Sequence, residues 1–225
     1  MERFDPKAVQ GHFDSIADRY DEGKARQSRY WRTLVSIYRE FVPECSSVLE
    51  VGCGTGSLLA SLRPRRGVGL DLSPAMVAEA RKKHPELEFR AEDIARPSGK
   101  EAFGVILLCD VIEHLPDPAA ALEGIKSYAD RDTRIVLTSV NPLWAGALHL
   151  AETLGFKLPE GEHEWLSLPE LRALIEAHGF RLEAAEGRIL LPFGVPLAEG
   201  LLNRLSRTPL LRRLCFVYAV VFRLA

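Results

Sequence analysis

Three alternate glycines, in Gly52-Cys53-Gly54-Thr55-Gly56, stand directly between a short apolar run, Val48-Leu49-Glu50-Val51, and a helical stretch that begins at Ser57. A strand that turns at once into a helix through glycines is the entry to an open α/β sheet. Glycine lets the backbone turn sharply and lets a ligand come close to the main chain. The same alternation continues along the chain. Apolar runs predict strands at 48–51, 68–72, 87–90, 103–109, 134–138, 180–191 and 214–222, and helical spacing predicts helices at 57–62, 74–83, 118–129 and 169–178. The 103–109 run is nearly all apolar, as in a strand buried on both faces. Ser73 before Pro74 reads as an N-cap with a first-turn proline, and Gly179 as a left-handed C-terminal cap. This order predicts a doubly wound α/β fold around a seven-stranded, parallel sheet.

Two segments lie outside the alternation. Residues 1–43 read as an N-terminal helical lid of two helices: Val9, Phe13, Ile16, Ala17 and Tyr20 share one helical face, and Tyr30, Leu34, Ile37, Tyr38 and Phe41 another, with a polar break at Asp21-Glu22-Gly23-Lys24. Residues 44–225 form the main domain, with insertions at about 142–167, which carries an apolar helix over 143–154, and at 192–213.

The charge balance, 29 basic against 31 acidic side chains, argues against a general nucleic-acid binder, which needs a basic face. The longest apolar run, Leu214–Phe222, is nine residues, well short of the roughly twenty that span a membrane. Cys45, Cys53, Cys109 and Cys215 form no CxxC pair, and Met1-Glu2-Arg3-Phe4-Asp5 has no apolar core. Neither a disulfide framework nor a secretory signal is expected, and a reducing cytoplasm fits. Arg204, Arg207, Arg212, Arg213 and Arg223 occur with no acid among them. They read either as a basic edge around an antiparallel strand pair or as a surface for anionic lipid or an apolar acceptor.

The glycine loop admits two ligand readings. A dinucleotide loop follows GxGxxG, but the sixth position here is Ser57. The form GxGxG preceded by an acid, Glu50, suits a ligand with a positive charge. Asp71 lies 19 residues after Gly52 at the end of the second strand, where a carboxylate accepts ribose hydroxyls. Asp93 ends the third strand beside Ile94, a pairing suited to the edge and face of an adenine.

Val48-Leu49-Glu50-Val51-Gly52-Cys53-Gly54-Thr55-Gly56 resembles the first motif of the class I S-adenosylmethionine-dependent methyltransferases. Gly69-Leu70-Asp71-Leu72-Ser73-Pro74-Ala75-Met76 is similar to the family's second-strand motif, and Glu92-Asp93-Ile94 to its adenine-binding position. Phe13-Asp14-Ser15-Ile16-Ala17-Asp18-Arg19-Tyr20-Asp21 is similar to the leader of many small-molecule members. The resemblance implies a Rossmann-like fold and S-adenosylmethionine as cofactor, with S-adenosylhomocysteine as product. It implies that Gly52, Cys53, Gly54 and Gly56 meet the methionine end and that Glu50 orients the loop and faces the amino group. Asp71 would hold the ribose, Leu72 and Met76 line the adenosine, Asp93 and Ile94 hold adenine, the main chain at Cys109 meet the amino group, and Tyr20 close over the methionine end.

After the fourth strand comes Asp110-Val111-Ile112-Glu113-His114. Asp110 and His114 are candidate catalytic residues, because an imidazole titrates near neutral pH and can take a proton from an acceptor hydroxyl. The stretch is similar to the Glu-x-x-Glu-His metal motif of ubiquinone-biosynthesis O-methyltransferases, but its first position is aspartate; no metal is expected. His163, after the first insertion, is the third catalytic candidate. Trp144, Leu148, Phe156, Trp165, Phe193 and Leu197 give the insertions the apolar bulk of an acceptor pocket. The expected reaction is O-methylation of a small molecule: a phenol or quinone-type compound, a natural-product intermediate or a lipid-linked species. N-methylation, a nicotinamide-dependent oxidoreductase and an inactive cofactor-binding protein are the alternatives. Peripheral membrane contact is left open.

Overall fold

The computed structural model describes residues 3–26, 28–44, 46–154, 161–190, 208 and 211–225. Strands β1 (Ser47–Val51), β2 (Arg66–Asp71), β3 (Glu88–Ala91), β4 (Val105–Cys109), β5 (Arg134–Val140), β6 (Phe180–Arg188) and β7 (Val217–Leu224) form one sheet in the order β3-β2-β1-β4-β5-β7-β6. Neighbours from β3 to β5 pair in parallel. Strand β7 is antiparallel to both β5 and β6, so the sheet is mixed rather than wholly parallel. Apolar runs encode burial and not strand direction, so the alternation alone reads as parallel, while the antiparallel pairing of β7 agrees with the reading of the C-terminal arginines as an edge around an antiparallel strand pair.

Strand alternation sorts the core into two layers. Leu49 and Val51 of β1 and Ile106 and Leu108 of β4 point to one side, with Leu122 and Ile125 of α6 (Pro118–Ile125) and Leu171 and Ile175 of α8 (Leu168–Ala177). Val48, Val105 and Leu107 point to the other. They meet α3 (Ser28–Phe41), α4 (Ser57–Leu62) and α5 (Pro74–Lys83) through Leu34, Ile37, Leu58, Leu59, Val77 and Ala80. Residues 28–41 thus supply a helix of the core layer: Leu34 and Tyr38 have no exposed surface. Each such side chain contributes roughly 1.5–3 kcal/mol when buried. The Tyr38 hydroxyl donates to the Leu108 carbonyl at 2.9 Å and ties α3 to the end of β4.

The chain before α3 forms two helices, α1 (Pro6–Ile16) and α2 (Tyr20–Arg26), where one was expected. The break falls at Ala17–Arg19. The polar stretch at 21–24 lies inside α2, with Asp21 and Glu22 in its first turn, where the helix dipole favours acids. The expected helix over 143–154 is a 3-10 turn, Pro142–Trp144, followed by α7 (Ala145–Thr153), which buries no residue. Among the described residues no helix is long and apolar enough to cross a membrane.

Candidate functional site

The carboxyl ends of β1, β2 and β4 converge on the glycine loop. Gly52, Gly54 and Gly56 all have positive φ, at 69°, 52° and 79°. A Cβ on Gly52 would run into the Val111 side chain, and one on Gly56 would stand 2.6 Å from Phe89. The loop is held by two acids. Glu50, 3% exposed, accepts the Leu59 amide at 3.1 Å. That amide belongs to the first turn of α4, whose N-cap, Gly56, has no side chain to offer it. Burial pushes the Glu50 carboxyl up to about 8 against the pull of Lys24 and the Leu59 amide. Asp71 accepts the Gly54 amide at 2.7 Å and the Ser73 amide at 2.9 Å, so it ties the glycine loop to the start of α5. Burial raises its carboxyl as well, opposed by those two amides.

The N-terminal helices close over this loop through residues that the motif reading left without a role. Asp14 of α1 accepts the Ser73 hydroxyl at 2.5 Å and the Ala75 amide at 3.2 Å. Asp21 of α2 accepts the Thr55 hydroxyl at 2.6 Å and the Lys83 ammonium at 2.7 Å. The Tyr20 ring lies 3.2 Å from where a Gly54 Cβ would stand. Lys24, one turn on, puts its ammonium 4.5 Å from the centre of that ring and 3.7 Å from the centre of the Trp31 ring. The leader motif contains Asp14 and Asp21, so the signal was present; their partners lie 59 and 34 residues away and could not be read from spacing.

At the end of β4, Asp110 adopts φ 49°, rare for a non-glycine residue. Its carboxylate accepts the Tyr30 hydroxyl at 2.5 Å and the Thr138 hydroxyl at 2.7 Å. Glu113 is buried and accepts the Ser139 hydroxyl at 3.2 Å. His114 turns elsewhere, to the Glu162 carbonyl, 3.2 Å from its Nδ1. No cluster of three His, Cys, Asp or Glu able to hold a metal occurs among the described residues.

His114 meets His163 instead, with ring centres 5.9 Å apart. Phe13 stands edge-on to His114 at 5.5 Å, and Trp165 lies 4.4 Å from His163. The amide of Glu164 donates to the Glu113 carbonyl at 2.9 Å and fastens the 161–165 segment beside β4. His163 Nδ1 lies 2.9 Å from the Gly161 carbonyl. A carbonyl only accepts, so this bond places the proton on Nδ1 and the basic lone pair on Nε2.

The other sequence candidates are distributed as follows. Cys53 and Cys109 are buried at the loop and the end of β4, and burial pushes both thiols well up. Asp93 accepts the Ala95 amide at 2.9 Å, and Leu72 is half-buried beside Asp71. Met76, expected to line the adenosine, and Ile94, expected to hold adenine, are 1% and 4% exposed. Ile94 packs into the α6 side of the core. Trp144 and Leu148 pack beside the α3 side of the core. Phe156, Phe193, Leu197, Arg204, Arg207 and most of the expected 192–213 insertion lie outside the described residues.

The methyltransferase-domain family matches residues 22–185. A ubiquinone biosynthesis O-methyltransferase of Xanthomonas axonopodis pv. citri is 28% identical over 201 residues, which are 80% of this chain and 83% of that protein. Its counterpart in Neisseria meningitidis serogroup C is 32% identical over 52% of this chain and 55% of that protein. Among solved structures, magnesium protoporphyrin IX methyltransferase from Synechocystis PCC 6803, with bound S-adenosylhomocysteine, superposes with a TM-score of 0.65 at 19% identity, covering 99% of this chain and 100% of that one. The match spans the glycine loop, Asp71 and the His114 and His163 pair, and the chain belongs to the methyltransferase-domain family, as a class I S-adenosylmethionine-dependent enzyme.

Proposed function

We propose that this enzyme methylates a hydroxyl of a small aromatic molecule, of phenol or quinone type, and that His114 and His163 handle the acceptor's proton. The observation that carries this reading is the paired imidazoles flanked by Phe13 and Trp165, beside the end of β4. The relatives named for ubiquinone biosynthesis point to the same acceptor class.

The cofactor half of the site fits S-adenosylmethionine. Its backbone is free of Cβ atoms at Gly52, Gly54 and Gly56, and aromatic faces and buried acids suit a cationic methionine end. In this reading Glu50 and Asp71 shape the loop and face the amino group and the ribose. Tyr20 covers the methionine end, and the main chain at Cys109 meets the amino group. Leu72, Asp93 and Ile94 form the adenosine end, with Met76 as support beneath. The bound cofactor supplies a methyl group on a positively charged sulfur. His163 Nε2 takes the proton from the acceptor hydroxyl, His114 holds the neighbouring position, and Trp165 and Phe13 exclude water from the transfer. Asp110 anchors Tyr30 and Thr138 behind them. Catalysis then rests on alignment plus a base. An acceptor with a lipid tail would find exposed Leu143, Leu150 and Leu154 along α7. Buried Cys53, Cys109 and Cys215 suit a reducing cytoplasm.

The test is methyl transfer from S-adenosylmethionine to a panel of phenols, catechols and amines, with wild type and His163→Ala. We expect hydroxyl acceptors to be methylated, a kcat loss of about a hundredfold in the variant, and an unchanged affinity for S-adenosylhomocysteine by calorimetry. Turnover of amines alone, or a variant that loses cofactor affinity and keeps kcat, would reject the reading.

A further inference from the structure

Lys24 brings a cation to the glycine loop. Its field reaches Glu50, Cys53, Asp71 and Cys109, which line the glycine loop and the ends of β1, β2 and β4. It is also held in place. Lys24 stands one helical turn from Tyr20, and its ammonium lies over both the Tyr20 and the Trp31 rings. Helix α2, which carries it, is tied to the glycine loop by Asp21 through Thr55 and to α5 through Lys83. Beneath it the loop offers buried carboxylates, Glu50 and Asp71.

We infer that Lys24 receives the carboxylate of the cofactor's methionine end and makes the enzyme select a cofactor with an intact amino-acid group. The methionine end carries an ammonium and a carboxylate side by side. Glu50 suits the ammonium. Beside the buried acids Glu50 and Asp71 alone the carboxylate would find no opposite charge. Lys24 supplies the opposite charge on the lid side, so the two ends of the zwitterion meet opposite walls of the cleft. Because the rings fix the ammonium beforehand, little side-chain freedom is lost on binding. The assignment rests on the cofactor half of the site and is the same for any acceptor.

Calorimetry with S-adenosylhomocysteine and its decarboxylated analogue, on wild type, Lys24→Met and Lys24→Arg, tests it. Wild type should prefer the intact compound by about tenfold or more, the worth of a charge-assisted hydrogen bond. Lys24→Met should lose that preference by weakening only the intact compound, and Lys24→Arg should keep most of it. A Lys24→Met protein that binds S-adenosylhomocysteine as well or better would overturn the inference, since the ammonium would then be a stand-in for the cofactor's own cation. Equal loss for both compounds would also overturn it and leave Lys24 a packing residue between two rings. Should Lys24→Met fail to fold, wild type decides alone: equal affinity for the two compounds rejects the role. Wild type that binds neither rejects the cofactor site itself.

Discussion

Helices α3 and α7 both carry apolar side chains, yet they meet the sheet in opposite ways. α3 buries Leu34, Ile37 and Tyr38. α7 has no fully buried residue and touches the core only through half-buried Leu148: Leu150 is 59% exposed, and Leu143 and Leu154 on either side of the helix are 64% and 61% exposed. The first packs into the core layer beside the glycine loop, where Tyr38 donates to the Leu108 carbonyl and Tyr30 to the Asp110 carboxylate. The second leaves apolar surface uncovered, on the side proposed above for the acceptor. The contrast suits an enzyme whose cofactor never changes and whose acceptor is the variable.

The hardest blow to the cofactor wall is Gly52→Ala. Its Cβ would collide with Val111 at a φ of 69°. Left-handed strain and overpacking together should cost about 3 kcal/mol. A thermal melt should show the loss, and a variant as stable as wild type would mean the loop relaxes freely and is no rigid wall. Glu50→Gln has a subtler effect that depends on pH. The Glu50 carboxyl sits at about 8 in the folded chain against an ordinary 4.5, so the folded state holds an extra proton between those values. Its stabilising contribution is complete below about 4.5 and is lost as the pH rises through about 8. Glutamine still accepts the Leu59 amide but does not titrate. Melts from pH 5 to 9 should fall less steeply for Glu50→Gln than for wild type, and parallel curves would show that Glu50 is not the group responsible. The smallest effect belongs to the other wall. Leu150→Ser should change stability by less than ~0.5 kcal/mol, while raising KM for an apolar acceptor and leaving cofactor affinity alone. A large loss of stability would place α7 in the core and erase the contrast.

The strands and the glycine loop were readable because they depend on local order: alternation, caps and turn residues within a few positions. β1 begins one residue before its predicted start, and α4 and α5 match their predicted limits. The last strand begins at Val217 and not at 214, because Arg212–Leu214 form a 3-10 turn although Leu214 continues the apolar run. The contacts of Asp14, Asp21, Tyr30 and Lys24 were invisible. Each acts on a partner brought near by the fold, such as Tyr30 on Asp110 across 80 residues. Polar residues on short helices look like solvated surface until their partners are known. His114 and His163 were picked out singly; their pairing needed the 161–165 segment to come back alongside Glu113.

Strand β7 imposes an order of events on a chain made from its N-terminus. β5 pairs through Ile135 with Phe222, and β6 through Phe180 with Leu224, so neither finds this neighbour until residues 217–224 have been synthesised. Until then the nascent sheet has an open edge at β5, whose residues from Ile135 to Val140 are all buried in the finished fold. Such an edge is a template for pairing with other chains. The parallel strands β1 to β5 can therefore pair early, while closure of the sheet waits on the arrival of one strand.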